Sequence, residues 1–158
     1  MEPEGSEDKA NGYFRVTLRV PLKDVDLFQM VWYGNYLGYF DLARTEFLRR
    51  CGLGPPDMAG WGLYAPVVSA EVRYHASAHY DDEIVVAVRP EIHRTAQITF
   101  RFRLFRKEDD CLMVSGKTTH VLKTTEGVLM YRIPSVLRER MERILKDLGE
   151  TREGYRTS

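Results

Sequence analysis

Residues 33–48 combine a helical repeat with apolar side chains on more than one side, and that combination dictates what the rest of the chain must do. Tyr33, Tyr36, Leu37, Phe40, Ala43, Phe47 and Leu48 recur at spacings of three and four, the repeat of an α-helix. Arg44, Glu46, Arg49 and Arg50 fill much of the remaining surface, and Gly52, Gly54, Pro55 and Pro56 stop the run. A helix with so broad an apolar and aromatic surface is buried on more than one side. The flanking segments must wrap it.

They read as strands. Phe14, Val16, Leu18 and Val20 alternate with Arg15, Thr17 and Arg19, and Pro21 ends the pattern. Beyond the helix, the segments Leu63 to Tyr74, Glu83 to Val88, Ala96 to Leu104 and Cys111 to Leu122 give four more strands. The clearest sets Ala96, Ile98, Phe100, Phe102 and Leu104 against Gln97, Thr99, Arg101 and Arg103. Pro134 opens a short amphipathic helix with Leu137, Met141, Ile144, Leu145 and Leu148 on one stripe, and Gly149 is its expected stop. Strands without alternating helices imply a largely antiparallel sheet. The expectation is an α+β fold: about five strands wrapped around one long helix, plus a short C-terminal helix. Residues 12–150 form its single domain. Residues 1–11, rich in Glu, Gly, Ser and Asp, are expected to be a disordered leader, and 151–158 a flexible tail.

Charge and composition exclude several classes. Lys plus Arg and Asp plus Glu number 23 each, so the formal net charge is zero. That argues against bulk attraction to nucleic acid or an anionic membrane. The chain has no 18-residue apolar run and no apolar segment at its start, so neither a membrane span nor a signal peptide is expected. Cys51 and Cys111 form no CxxC pair and no metal spacing, and a reducing cytoplasm is the default compartment. His75, His79, His93 and His120 are scattered, and the first two lie in a strand-like region where a spacing of four is not a ligand pair; no metal site and no cofactor is expected. Fixed-spacing nucleotide, hydrolase and metalloprotease motifs are absent.

The unusual segment is the entry to the long helix, Asp24-Val25-Asp26-Leu27-Phe28-Gln29-Met30-Val31-Trp32-Tyr33-Gly34-Asn35-Tyr36. Two carboxylates precede a dense aromatic stretch. On composition alone, helix capping is the commoner role for such aspartates, and core packing the commoner role for the aromatics.

This segment resembles the signature of the 4-hydroxybenzoyl-CoA thioesterase family: Asp-x-Asp, a short turn, then Val, an aromatic, Tyr or His, a small residue, Asn or Ser, and Tyr. The similarity continues through Phe40-Asp41-Leu42-Ala43-Arg44-Thr45-Glu46-Phe47-Leu48, Ala70-Glu71-Val72-Arg73-Tyr74 and Ala78-His79-Tyr80-Asp81-Asp82-Glu83, and runs from about Phe14 to Tyr131. The resemblance implies a hotdog fold and hydrolysis of an acyl-CoA thioester. It assigns the catalytic carboxylate to Asp26, as nucleophile or general base, and the carbonyl-polarising backbone N–H to Tyr33. Gln29, Val31, Trp32, Asn35 and Tyr36 around them are candidate substrate contacts, and Tyr39 a further candidate for the acyl pocket; Arg94 falls where the family often holds the coenzyme A phosphates, with Arg73 a weaker candidate. The resemblance also implies a homodimer or homotetramer with the groove between protomers. Two departures stand out: Gln29 replaces the family's usual Gly, and Phe28 a residue that is usually small. They keep open a noncatalytic acyl-ligand binder, and a thioesterase acting on acyl carrier protein is a further alternative. A hotdog dehydratase would need a His near the helix, and none lies near it in the sequence.

Overall fold

The structure, a computed structural model, describes residues 12–150. The expected leader and tail lie outside the described residues. Strand β1 (Phe14–Arg19) is followed by a 3₁₀ turn (Leu22–Asp24), a tight loop and a second 3₁₀ turn (Tyr33–Asn35) that leads directly into helix α1 (Tyr36–Arg50). Helix α2 (Pro55–Gly60) and strands β2 (Leu63–Tyr64), β3 (Val67–Tyr74), β4 (Glu83–Ile92), β5 (Gln97–Arg106), β6 (Leu112–Val121) and β7 (Lys123–Thr124) come next, and helix α3 (Ser135–Glu150) ends the described chain.

Five strands form one antiparallel sheet in the order β1-β4-β5-β6-β3, and the alternating segments fall on β1 and β5. The inner face carries Val86, Val88, Phe100, Phe102, Leu104 and Val114, all buried, and α1 lies against it. The helix presents Phe40, Ala43 and Phe47, each fully buried. Phe40 stacks on Phe102 with ring centroids 4.6 Å apart and planes within 6°. Gly116 permits this close approach: it faces Phe102 on one side and Val72 on the other. A Cβ there would sit 2.7 Å from a Phe40 ring carbon and closer still to the Glu71 carbonyl oxygen.

The single strand expected over Leu63 to Tyr74 is two. Leu63–Tyr64 pairs with Lys123–Thr124 in a separate ribbon, and only Val67–Tyr74 joins the main sheet. Pro66 stands between them; it has no N–H to give a ladder, and its carbonyl accepts the Val121 N–H instead, at 3.2 Å. The Gly54-Pro55-Pro56 stretch that stops α1 also starts a helix. Pro55 occupies its first turn and the Asp57 carboxylate accepts the Gly54 N–H at 3.0 Å. Strand β4 runs on past Val88 to Ile92 because β5 carries the ladder through, pairing Pro90 with Phe100 and Ile92 with Ile98.

Candidate active site

The site is built from the loop between β1 and α1. Val25 and Val31 pair across it, Asp26 N–H donates to the Met30 carbonyl at 2.9 Å, and Gln29 N–H donates to the Asp26 carbonyl at 3.0 Å. These bonds close a tight turn over residues 26–29. One carboxylate oxygen of Asp26 accepts two backbone N–H groups of its own loop, from Phe28 at 2.8 Å and Met30 at 3.3 Å. Its side chain is thereby held in one orientation while the residue stays exposed. Gln29 has φ of 60°, the left-handed region that glycine enters at no steric cost. The loop is fastened from outside. Val31 N–H reaches the Ala78 carbonyl at 2.9 Å, and the Gln29 carbonyl accepts Tyr80 N–H at 2.8 Å.

Asp24 has a different task. Its backbone carbonyl accepts Trp32 N–H at 3.0 Å and the Asn35 amide at 2.8 Å. Its carboxylate accepts the Tyr39 hydroxyl at 2.8 Å. Burial, reinforced by this bond, raises the Tyr39 phenol well above its ordinary pKa. Neither aspartate caps α1: Asn35 occupies the N-cap without a side-chain cap bond. The two neighbouring carboxylates are divided between a half-buried anchor, Asp24, and an exposed group at the helix entry, Asp26.

Tyr33 opens the 3₁₀ turn, so its N–H belongs to the donors that a helical start leaves without an acceptor inside the helix. Its carbonyl accepts the Tyr74 hydroxyl at 3.0 Å, which ties β3 to the helix entry. Tyr36 is buried, and its hydroxyl accepts Ala78 N–H at 3.0 Å. Val31 is buried in the core, whereas Gln29, Trp32 and Tyr33 are exposed and Asn35 is half-buried. Leu27 and Phe28, 100% and 80% exposed, project beside them as a bare apolar tip.

The structure brings Asp26, Gln29, Val31, Trp32, Tyr33, Asn35 and Tyr36 together at one end of the sheet, and leaves Arg94 elsewhere. Asp26 lies beyond the end of β1 that pairs with Glu83, whereas Arg94 follows the opposite end of β4. Ten residues of strand separate those ends, about 30 Å at roughly 3.3 Å per residue. Arg73, exposed on β3, lies next to Tyr74 and so nearer the helix entry.

Charged groups further along α1 pair locally. Glu46 binds Arg49, and Arg44 binds Asp41. Arg44 also reaches across the core to His120, its Nη1 3.0 Å from both ring nitrogens. Nothing local in the sequence marks His120, because Arg44 and Ala65 are distant in the chain: the Ala65 carbonyl lies 3.0 Å from Nδ1, and the Thr118 hydroxyl 3.0 Å from Nε2. Burial lowers the His120 pKa. His75 and His79 have separate partners, Ser115 and Asp82.

A five-stranded antiparallel sheet wrapped around one long helix is the hotdog arrangement. The chain belongs to the thioesterase-like superfamily, whose family model matches residues 20–141. It is 31% identical over 109 residues to the acyl-CoA thioesterase YbgC of Haemophilus influenzae, covering 68% of this chain and 78% of that protein. Among solved structures, a hypothetical protein of Aquifex aeolicus superposes with a TM-score of 0.73 at 28% identity, over 81% of this chain and 98% of that one. A 1,4-dihydroxy-2-naphthoyl-CoA thioesterase of Synechocystis shares the fold, with a TM-score of 0.75 at 20% identity, over 82% and 95% of the two chains.

Proposed function

We propose that the chain hydrolyses acyl-CoA thioesters with Asp26 as the catalytic carboxylate. The observation that carries this reading is the Asp26 side chain, exposed yet fixed by two backbone donors at the entry to α1. As the thioester carbonyl is attacked, its oxygen gains negative charge, and the Tyr33 N–H is a fixed donor at the positive end of the helix. Asp26 acts on the carbonyl carbon from the other side, attacking it or deprotonating the water that does. Water supplies the hydroxyl of the new acid, the carbon–sulfur bond breaks, and the departing thiolate takes up a proton.

The groove is completed by a second copy of the chain. Strand β3 is an edge of the main sheet, and Val67, Val68, Ser69, Ala70 and Glu71 are exposed along it. An edge of that length with apolar residues invites pairing. A symmetric partner would also cover Leu27 and Phe28. It would allow the coenzyme A phosphates to meet the partner's copy of Arg94, a planar donor suited to phosphate, despite the separation within one chain. Gln29 keeps the tight turn without glycine, so the departure from the family pattern leaves the Asp26 geometry in place.

The test is thiol release from a panel of acyl-CoAs by wild type and Asp26→Asn in parallel. Asn retains an oxygen that can accept the Phe28 and Met30 N–H groups, so the loop stays closed. A fall of two or more orders of magnitude with an unchanged melting temperature is expected. Equal rates would reject Asp26, and no hydrolysis of any member by wild type would favour a noncatalytic binder.

A further inference from the structure

Two cavities share Arg44 and His120 as walls. One, of about 520 Å³, runs along α1 past Leu37, Gly38 and Asp41 and is walled by Val67, Ala70 and Phe102. The other, of about 450 Å³, lies beyond Arg44 and is apolar, with Leu48, Leu53, Met58, Phe100 and Met141 among its walls. Arg44, His120, Ala65 and Pro66 line both. The first cavity starts within about 6 Å of Tyr33 along the helix and reaches Arg44 at about 16 Å, at 1.5 Å per residue. Gly38 keeps it open, since nothing lies within 4 Å of where its Cβ would stand.

The junction between them is polar: Arg44 and His120 stand there, with Asp41 on the wall of the first cavity. His120 is 3% exposed and Arg44's side chain 22%. Arg44 Nε is buried with no acceptor among the described residues, an arrangement that costs free energy unless something else repays it. Arg44 is already balanced by Asp41, so an added carboxylate would leave the junction with one negative charge in excess, whereas a neutral oxygen keeps it balanced. A hydroxyl or keto oxygen can accept from the guanidinium, which offers five N–H donors in a fixed fork.

Resting on the proposed hydrolysis, we infer that Arg44 and His120 form an oxygen-recognition point in the acyl channel. The preferred acyl group carries a neutral oxygen about 16 Å from the thioester carbon, at 1.5 Å of helix rise per residue. Hydrocarbon beyond that oxygen enters the apolar cavity.

The test compares dodecanoyl-CoA, ω-hydroxydodecanoyl-CoA and ω-carboxydodecanoyl-CoA in wild type, Arg44→Met and Arg44→Lys. Wild type is expected to favour the hydroxyl substrate by about tenfold or more in kcat/KM over both others, as sites built to hydrogen-bond a hydroxyl do. Arg44→Met should lose that preference while still hydrolysing dodecanoyl-CoA, and Arg44→Lys, which keeps the charge beside Asp41, guards against a folding defect. Binding of the free dodecanoic and ω-hydroxydodecanoic acids, read by thermal shift, is measured alongside and needs no catalysis. Tighter binding of the hydroxy acid without turnover would support the recognition point and reject the hydrolysis. Equal rates and equal binding for the two, or a hydroxyl preference that persists in Arg44→Met, would overturn the inference.

Discussion

Replacing Gly116 with Ala should destabilise the protein far more than one methyl group ordinarily does. The new Cβ would overlap a Phe40 ring carbon at 2.7 Å and press on the Glu71 carbonyl. The ring is held by its stack on Phe102. The carbonyl belongs to β3, whose residues Glu71 and Val72 pair with Lys117 and Gly116. Neither neighbour is the free end of a flexible side chain, so the overlap is relieved only by moving α1 off the sheet or opening the β3–β6 ladder. Overpacking of a tight core costs about 1–3 kcal/mol, and the backbone contact puts this case near about 3 kcal/mol. For a chain of this length, each kcal/mol lowers the melting temperature by about 2–4 °C, so a drop of about 6–12 °C is expected by calorimetry or circular dichroism. Phe40→Leu in the same background should recover part of it, because the two sites share the contact. Gly38→Ala is the control: it lies within α1 with open space around it, and should gain about 0.5–1 kcal/mol from helix propensity. A Gly116→Ala protein melting within about 2 °C of wild type would refute this account of how α1 meets the sheet.

Gln29→Gly removes a left-handed strain of about 1–2 kcal/mol but frees the unfolded chain. A net gain below about 1 kcal/mol is expected in urea unfolding, and a loss would show that the Gln29 side chain holds the loop. Cys51 is buried, and burial pushes its thiol from 9.0 up to about 12. Between those values the unfolded chain releases a proton that the folded chain keeps. Stability should therefore fall as pH rises above 9, by up to about 1.4 kcal/mol per unit, and Cys51→Ala should flatten that slope in pH-dependent denaturation. A thiol reagent at pH 8 should label the half-buried Cys111 before Cys51, and mass spectrometry of the digest reads the order.

What the sequence determined by itself was local. The alternation in residues 14–20 and 96–104, the three-and-four spacing from Tyr33 to Leu48 and the Asp-x-Asp before it are each written within one segment, and β1, β5, α1 and the helix-entry loop follow them. A period of two or 3.6 sorts side chains onto faces without help from elsewhere in the chain. The structure shows how differently the two carboxylates are held. Asp24 and Asp26 look alike in sequence, and they part because Tyr39 and Asn35 fold back onto one while the loop's own N–H groups hold the other. It alone set β3 at the sheet edge beside β6, and put Gly116 where Phe40 passes. It also joined Arg44 to His120 across 76 residues of chain. These last contacts depend on strand order and register, which join segments far apart in the sequence.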